Sequence, residues 1–252
     1  MPKVFAVANQ KGGVAKTTTV HSLGAALVER GHRVLLIDLD PQACLTDSLG
    51  IQTSDLSGSL HDVFVHHTPA EAVLVKAGEL HVLPATIDLV GVEIHLLSKT
   101  GREYALARAL DPLRAAYDVV MIDCPPSLGI LTINGLTAAD EVIIPLQCET
   151  LSQRGVGQLL ETIEDVRSFT NSGLGVAGVV ATMYDGRTRL AQQVLADVPG
   201  TLGLEVLQPP VPKSVKVAEA PGMGRSVLEH APHSGAADAY RALAATLEKR
   251  LR

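Results

Sequence analysis

The stretch Asn9-Gln10-Lys11-Gly12-Gly13-Val14-Ala15-Lys16-Thr17-Thr18-Thr19 constrains this chain more than any other. An apolar run, Val4-Phe5-Ala6-Val7-Ala8, precedes it, and a helical pattern with Val20, Leu23 and Leu27 on one face comes after it. Strand, glycine-rich turn and helix, in that order, is the setting in which a backbone can cradle phosphate. Gly12 and Gly13 carry no Cβ, so the chain can turn tightly and aim its N–H groups at an anion. The helix after the turn adds the positive end of its dipole. Lys16 is then placed to reach the β- and γ-phosphates of a nucleotide, and the Thr17 hydroxyl to hold Mg²⁺. The usual pattern of such loops is glycine, four residues, then Gly-Lys-Ser/Thr. Here Gln10 stands at the first glycine position and Ala15 at the last, and a second lysine, Lys11, is added.

Two further stretches carry acid at the end of a short apolar run. Arg33-Val34-Leu35-Leu36-Ile37-Asp38 reads as a buried parallel strand, with Leu39-Asp40-Pro41-Gln42 directly after it. Ligands of open α/β sheets sit at the C-terminal ends of strands, so Asp38 and Asp40 face the same crevice as the glycine turn. Val119-Val120-Met121-Ile122-Asp123 repeats the design, and Pro125-Pro126 then forces an extended exit. Asp123 is expected to serve Mg²⁺ or the γ-phosphate side, and Asp38 to support the magnesium shell.

Other strands are read at 80–84, 141–146, 174–183 and 204–207. Helices are read at 87–97, 101–116, 151–169 and 236–251, with two short helical pieces at 60–75 broken at Pro69. Thr46 to Leu49 is read as a switch segment. Alternating strands and helices predict a single-domain α/β fold, a mostly parallel sheet with helices on both faces. At 252 residues one domain over 1–252 is expected. The glycine turn starts so early that no helix-turn-helix extension is expected ahead of it. Aromatics are only 3% of the chain, so the core must be Leu, Val, Ile and Ala.

Lys11-Gly12-Gly13-Val14-Ala15-Lys16-Thr17-Thr18, Asp38-Leu39-Asp40-Pro41-Gln42 and Asp123-Cys124-Pro125-Pro126-Ser127-Leu128-Gly129 together resemble the deviant Walker A ATPases of the ParA/MinD group, and most closely its short ParA/Soj branch. The resemblance implies slow Mg²⁺-dependent ATP hydrolysis, an ATP-bound homodimer and a role in DNA segregation. It implies that Lys11 crosses the dimer interface to the partner's nucleotide and that Asp40 handles the attacking water. It implies that a proline-bearing loop, Pro210-Val211-Pro212, borders the adenine ring. A ParB-type centromere-binding protein would stimulate hydrolysis.

A net charge of −6 argues against a globally basic nucleic-acid binder, so any contact with double-stranded DNA must come from a local patch. Arg187 and Arg189 begin a predicted helix, where cations oppose the dipole. Lys213, Lys216 and Arg225 come later, in a stretch whose only acid is Glu219. These five positions resemble the DNA-facing residues of short ParA proteins. Three cysteines without a CxxC spacing fit a reducing, cytoplasmic setting, and the resemblance implies association with the nucleoid. Nine histidines show no HExxH or paired metal spacing and read as surface or packing residues. The last helix is alanine-rich, with Tyr240, Leu243, Leu247 and Leu251 on one stripe that reads as a packing face, so no membrane partner is expected. A MinD-like membrane or polar positioning ATPase is the alternative.

Overall fold

Runs of Val, Ile and Leu too short for helices alternate with helical segments along the chain, and the computed structural model assembles them around one sheet. It describes residues 2–148 and 152–251. In chain order the elements are β1 (Lys3–Val7), α1 (Lys16–Glu29), β2 (Val34–Asp38), α2 (Cys44–Ser48), α3 (Leu60–His66), β3 (Val75–Ala77), β4 (Leu80–Leu83), α4 (Leu89–Leu97) and α5 (Ala105–Leu110). Next come β5 (Val119–Asp123), α6 (Ile130–Ala138), β6 (Glu141–Gln147), α7 (Ser152–Phe169), β7 (Gly175–Thr182), α8 (Arg189–Leu202), β8 (Val206–Leu207), α9 (Val215–Glu219), α10 (Val227–His230) and α11 (Gly235–Glu248).

The strand order is β3-β4-β2-β5-β1-β6-β7-β8. Every pairing is parallel except β3 with β4. β2 and β5 are buried at all five positions, as strands covered on both faces must be. Their side chains alternate between two cores. Leu35, Ile37, Val120 and Ile122 point to a core closed by α4, α5, α6 and α7. Leu36, Val119 and Met121 join Phe5 and Val7 in a core closed by α1 and α11. In that second core Tyr240, Leu243 and Leu247 are fully buried, so the stripe on the last helix is a packing face. Gly24 of α1 allows the helix to lie close on the sheet, since a Cβ there would meet Leu36 Cδ2 at 2.8 Å. α4 is apolar on two sides: Leu89, Val92 and Leu96 face inward, while Val90, Ile94 and Leu97 are exposed.

One element is added to those expected, and one expected helix is corrected. The short antiparallel β3 before β4 was not read from the sequence. The span 101–116 is not one helix: α5 is flanked by 3₁₀ turns over Arg102–Tyr104 and Asp111–Ala116. Gly101 precedes the first turn with φ +63, and Pro112, which lacks a backbone donor, stands where α5 gives way to the second turn. Of residues 46–49, read as a switch segment, Thr46 to Ser48 lie in α2, with Thr46 and Ser48 buried. Leu151, read as the start of α7, lies outside the described residues.

Candidate nucleotide site

β1 ends at Val7, and the buried Asn9 side chain anchors the start of the glycine turn. Its amide donates to the Pro145 carbonyl at 2.7 Å, and its Oδ1 accepts the Lys11 N–H at 3.0 Å. The loop is thereby fixed between β1 and β6. Gly13 turns at φ +73, a conformation glycine adopts without strain. Ala15 adopts φ +64 and ψ +37 just before α1, so the alanine sits in the left-handed region despite its methyl. The Val14 carbonyl accepts the Thr182 hydroxyl at 3.0 Å, tying the loop to the end of β7. Lys16 arches back and donates from Nζ to the Lys11 carbonyl at 3.3 Å. Burial lowers the Lys16 pKa, while the nearby carboxyls of Asp123 and Asp40 oppose that shift. The first turn of α1 holds no acid, so its positive end is left to an anionic ligand.

The carboxyls come from the ends of adjacent strands. Asp38 and Asp123 are paired in register across β2 and β5. The Thr17 hydroxyl donates to Asp123 Oδ2 at 2.6 Å. Asp123 Oδ1 is buried and accepts no hydrogen bond. Burial, and after it the neighbouring Asp38, holds the Asp123 carboxyl well above the usual carboxylate range. A buried, unpartnered oxygen beside a threonine hydroxyl fits a hard divalent cation with oxygen ligands, so Thr17 and Asp123 fit Mg²⁺.

Asp38 is committed elsewhere. Its Oδ1 accepts the Asp40 N–H at 3.2 Å, and its Oδ2 accepts both the Thr46 N–H at 2.9 Å and the Thr46 hydroxyl at 2.8 Å. Three bonds to internal donors leave it poorly placed to serve the magnesium shell, and its geometry is that of a residue positioning Asp40. Asp40 Oδ1 caps the Gln42 N–H at 2.9 Å, a turn contact, and the residue also lines the cavity.

That cavity, of about 840 Å³, is lined by Gly12, Gly13, Ala15, Lys16, Thr17 and Thr18 at one end and by Val211 and Pro212 at the other. Pro210 is not among its lining residues. Val211 donates to the Ala181 carbonyl and its own carbonyl accepts the Tyr184 N–H, which seats 211 and 212 against the cavity and leaves 210 outside. His21, Ser48, Thr182, Met183 and Tyr240 also line it and were not read as site residues. A separate cavity of about 490 Å³, floored by Val63, Phe64 and Leu96, contains none of the loop residues.

Two of the five basic residues, Lys213 and Arg225, lie at the cavity and line it. Arg187 precedes α8 and is held by Asp185 through bonds of 2.9 and 2.8 Å, so only Arg189 stands in the first helical turn. Lys216 pairs with Glu219 at 2.9 Å. Lys213 lies close enough to act on the Asp185 carboxyl, whose pKa is lowered to about 2, chiefly by its hydrogen bonds from Arg187.

The AAA domain family profile matches residues 2–176. The chain is 46% identical to the chromosome partitioning protein ParA of Caulobacter vibrioides over 246 residues, which is 96% of this chain and 92% of that protein. It is 45% identical to the chromosome-partitioning ATPase Soj of Thermus thermophilus over 240 residues, 95% of this chain and 93% of that one. The chain belongs to the ParA/Soj family of partitioning ATPases. A crystal structure described as cobyrinic acid a,c-diamide synthase from Mycobacterium smegmatis, with bound ADP and magnesium, superposes with a TM-score of 0.89 at 52% identity and covers 99% of this chain and 95% of that one.

Proposed function

We propose that this ParA/Soj family member is a DNA-segregation ATPase whose Mg-ATP state controls its association with itself and with DNA. The observation that carries the reading is that Lys16, Thr17 and Asp40 line one cavity while Asp123 is bonded to Thr17. Mg²⁺, when bound, neutralises phosphate charge and is held by Thr17 and Asp123. Lys16 and the amides of Gly12 to Thr18 hold the phosphates. Asp40, set by its bond to Asp38, orients the attacking water. Val211 and Pro212 supply an apolar border for the base. Lys11, in the half-exposed rim of the loop, is assigned to the partner's nucleotide in a sandwich dimer. Of the basic group Arg187, Arg189, Lys213, Lys216 and Arg225, Lys213 and Arg225 line the cavity, and a dimer doubles the group. A ParB-type protein is the proposed activator, and the nucleoid the proposed location.

The MinD-like alternative asks α11 to present an apolar face to a membrane. That face is buried on α1, which favours DNA as the surface bound. Among the described residues no helix is long and apolar enough to cross a membrane.

Sedimentation velocity with ATP and Mg²⁺, with and without double-stranded DNA, tests the reading. A monomer without nucleotide, a dimer with ATP and co-sedimentation with DNA only in ATP are expected. DNA binding that ignores nucleotide would break the coupling. Pelleting with liposomes in place of DNA would favour the alternative.

A further inference from the structure

Four of the nine histidines, His61 and His66 on α3, His67 just after it and His95 on α4, come together away from the nucleotide cavity. On α3 the ligand atoms of His61, Asp62 and His66 all lie within 4.8 Å of one another. Asp62 and His66 are four apart, so the helix stacks them on one face. The rings of His61 and His66 meet edge to face with centroids 5.5 Å apart. Asp62 is held in place by the capping box that starts the helix: its Oδ2 accepts the Ser59 N–H at 2.8 Å, and its Oδ1 is 3.9 Å from His61 Nδ1. On α4, His95 Nε2 is buried and accepts no bond. The His95 pKa is lowered by desolvation and by the nearby charges of Lys99, His67, His66 and His61, which places all four imidazoles in one neighbourhood.

We propose that His61, Asp62 and His66 form a binding site for a divalent transition-metal ion of the Zn²⁺ class. Two imidazoles and one carboxylate suit Zn²⁺, Ni²⁺ or Cu²⁺, whereas Mg²⁺ and Ca²⁺ want oxygen alone. Three protein ligands leave a further position open, as in exchangeable sites. The Ser59 amide orients the carboxylate, the arrangement that commonly tunes metal ligands.

The test uses the full chain without a histidine tag, in excess Mg²⁺ so that the oxygen site is occupied. Zn²⁺ is titrated by calorimetry into wild type and into a His61→Gln/His66→Gln double variant, whose fold is checked by thermal melting. Wild type is expected to bind one equivalent more, or that equivalent at least about tenfold more tightly. Cu²⁺-loaded wild type should show nitrogen couplings in its paramagnetic resonance spectrum that the variant lacks. Equal stoichiometry and affinity in the two proteins, or nitrogen couplings that survive the double substitution, overturn the site.

Discussion

Asp38 and Asp40 stand two positions apart at the end of one strand and differ in what they have left to offer. Asp38 accepts three internal bonds, while Asp40 gives one oxygen to Gln42 and lines the cavity. Asp40→Ala should therefore leave ATP binding intact and stop turnover, measured as phosphate release beside nucleotide affinity; hydrolysis at the wild-type rate would remove its assignment. Lys16→Ala should instead abolish nucleotide binding, seen as loss of the calorimetric signal. Ala15 offers a different test. A left-handed alanine costs about 1–2 kcal/mol, and glycine returns part of that through a freer unfolded chain. Ala15→Gly should thus raise stability by roughly 1 kcal/mol, read from urea midpoints. Lys16, Thr17, Asp40 and Asp123 were legible because each sits in a local motif. Asn9 and Thr182 were not, since their partners Pro145 and Val14 lie 136 and 168 positions away. The hold of Thr46 on Asp38 was not legible, because nothing in that strand reveals it.

At the level of elements, α1 follows the loop directly and packs with α11 in the second core, and it holds a buried histidine between loop and core. The Ser48 hydroxyl donates to the Leu45 carbonyl at 2.8 Å, so His21 Nδ1–H donates to Ser48 Oγ at 3.1 Å and the ring is neutral. Burial pushes the His21 pKa down to about 4, with Glu229 the opposing charge. A depressed base has a definite sign. Between about pH 4 and 6.5 the unfolded chain takes up the proton that the folded chain refuses, so this contribution grows as pH rises through that window and is complete above it. Buried Asp123 acts in the opposite sense, holding its proton in the fold, so the comparison must isolate His21. His21→Asn keeps a donor near Nδ1 and cannot titrate. The stability of wild type relative to this variant should climb by roughly 3 kcal/mol from pH 4 to 6.5. A flat difference would place His21 in contact with water. The strong strands and α1 were legible because their periodicity is long or fully apolar. The three-residue β3 and the 3₁₀ breaks around α5 were not, because a stretch that short carries no period.

On the scale of the whole molecule, the parallel sheet was legible from the alternation of strand and helix, and the placement of charge was not. A chain of net charge −6 still gathers Arg187, Lys213 and Arg225 near one cavity mouth. The carboxylates that hold two of the five basic side chains are weak competitors for phosphate. The Arg187 side chain is 90% exposed in its pair with Asp185, and Lys216 is 57% exposed in its pair with Glu219. Exposed pairs of this kind contribute about 0–1 kcal/mol, so DNA phosphate can replace the acid at little loss. If each protomer of a dimer contributes about three contacts, about six phosphates are neutralised, and affinity should fall on the order of a thousandfold between 50 and 200 mM salt. Arg189→Ala removes one contact per protomer without breaking an ion pair seen in the fold. In ATP it should weaken DNA binding alike across sequences and shallow the salt slope by about two for the dimer, read from anisotropy titrations. An unchanged slope would move the DNA face off the β7–α8 edge, whatever the nucleotide does at the other end of the cavity.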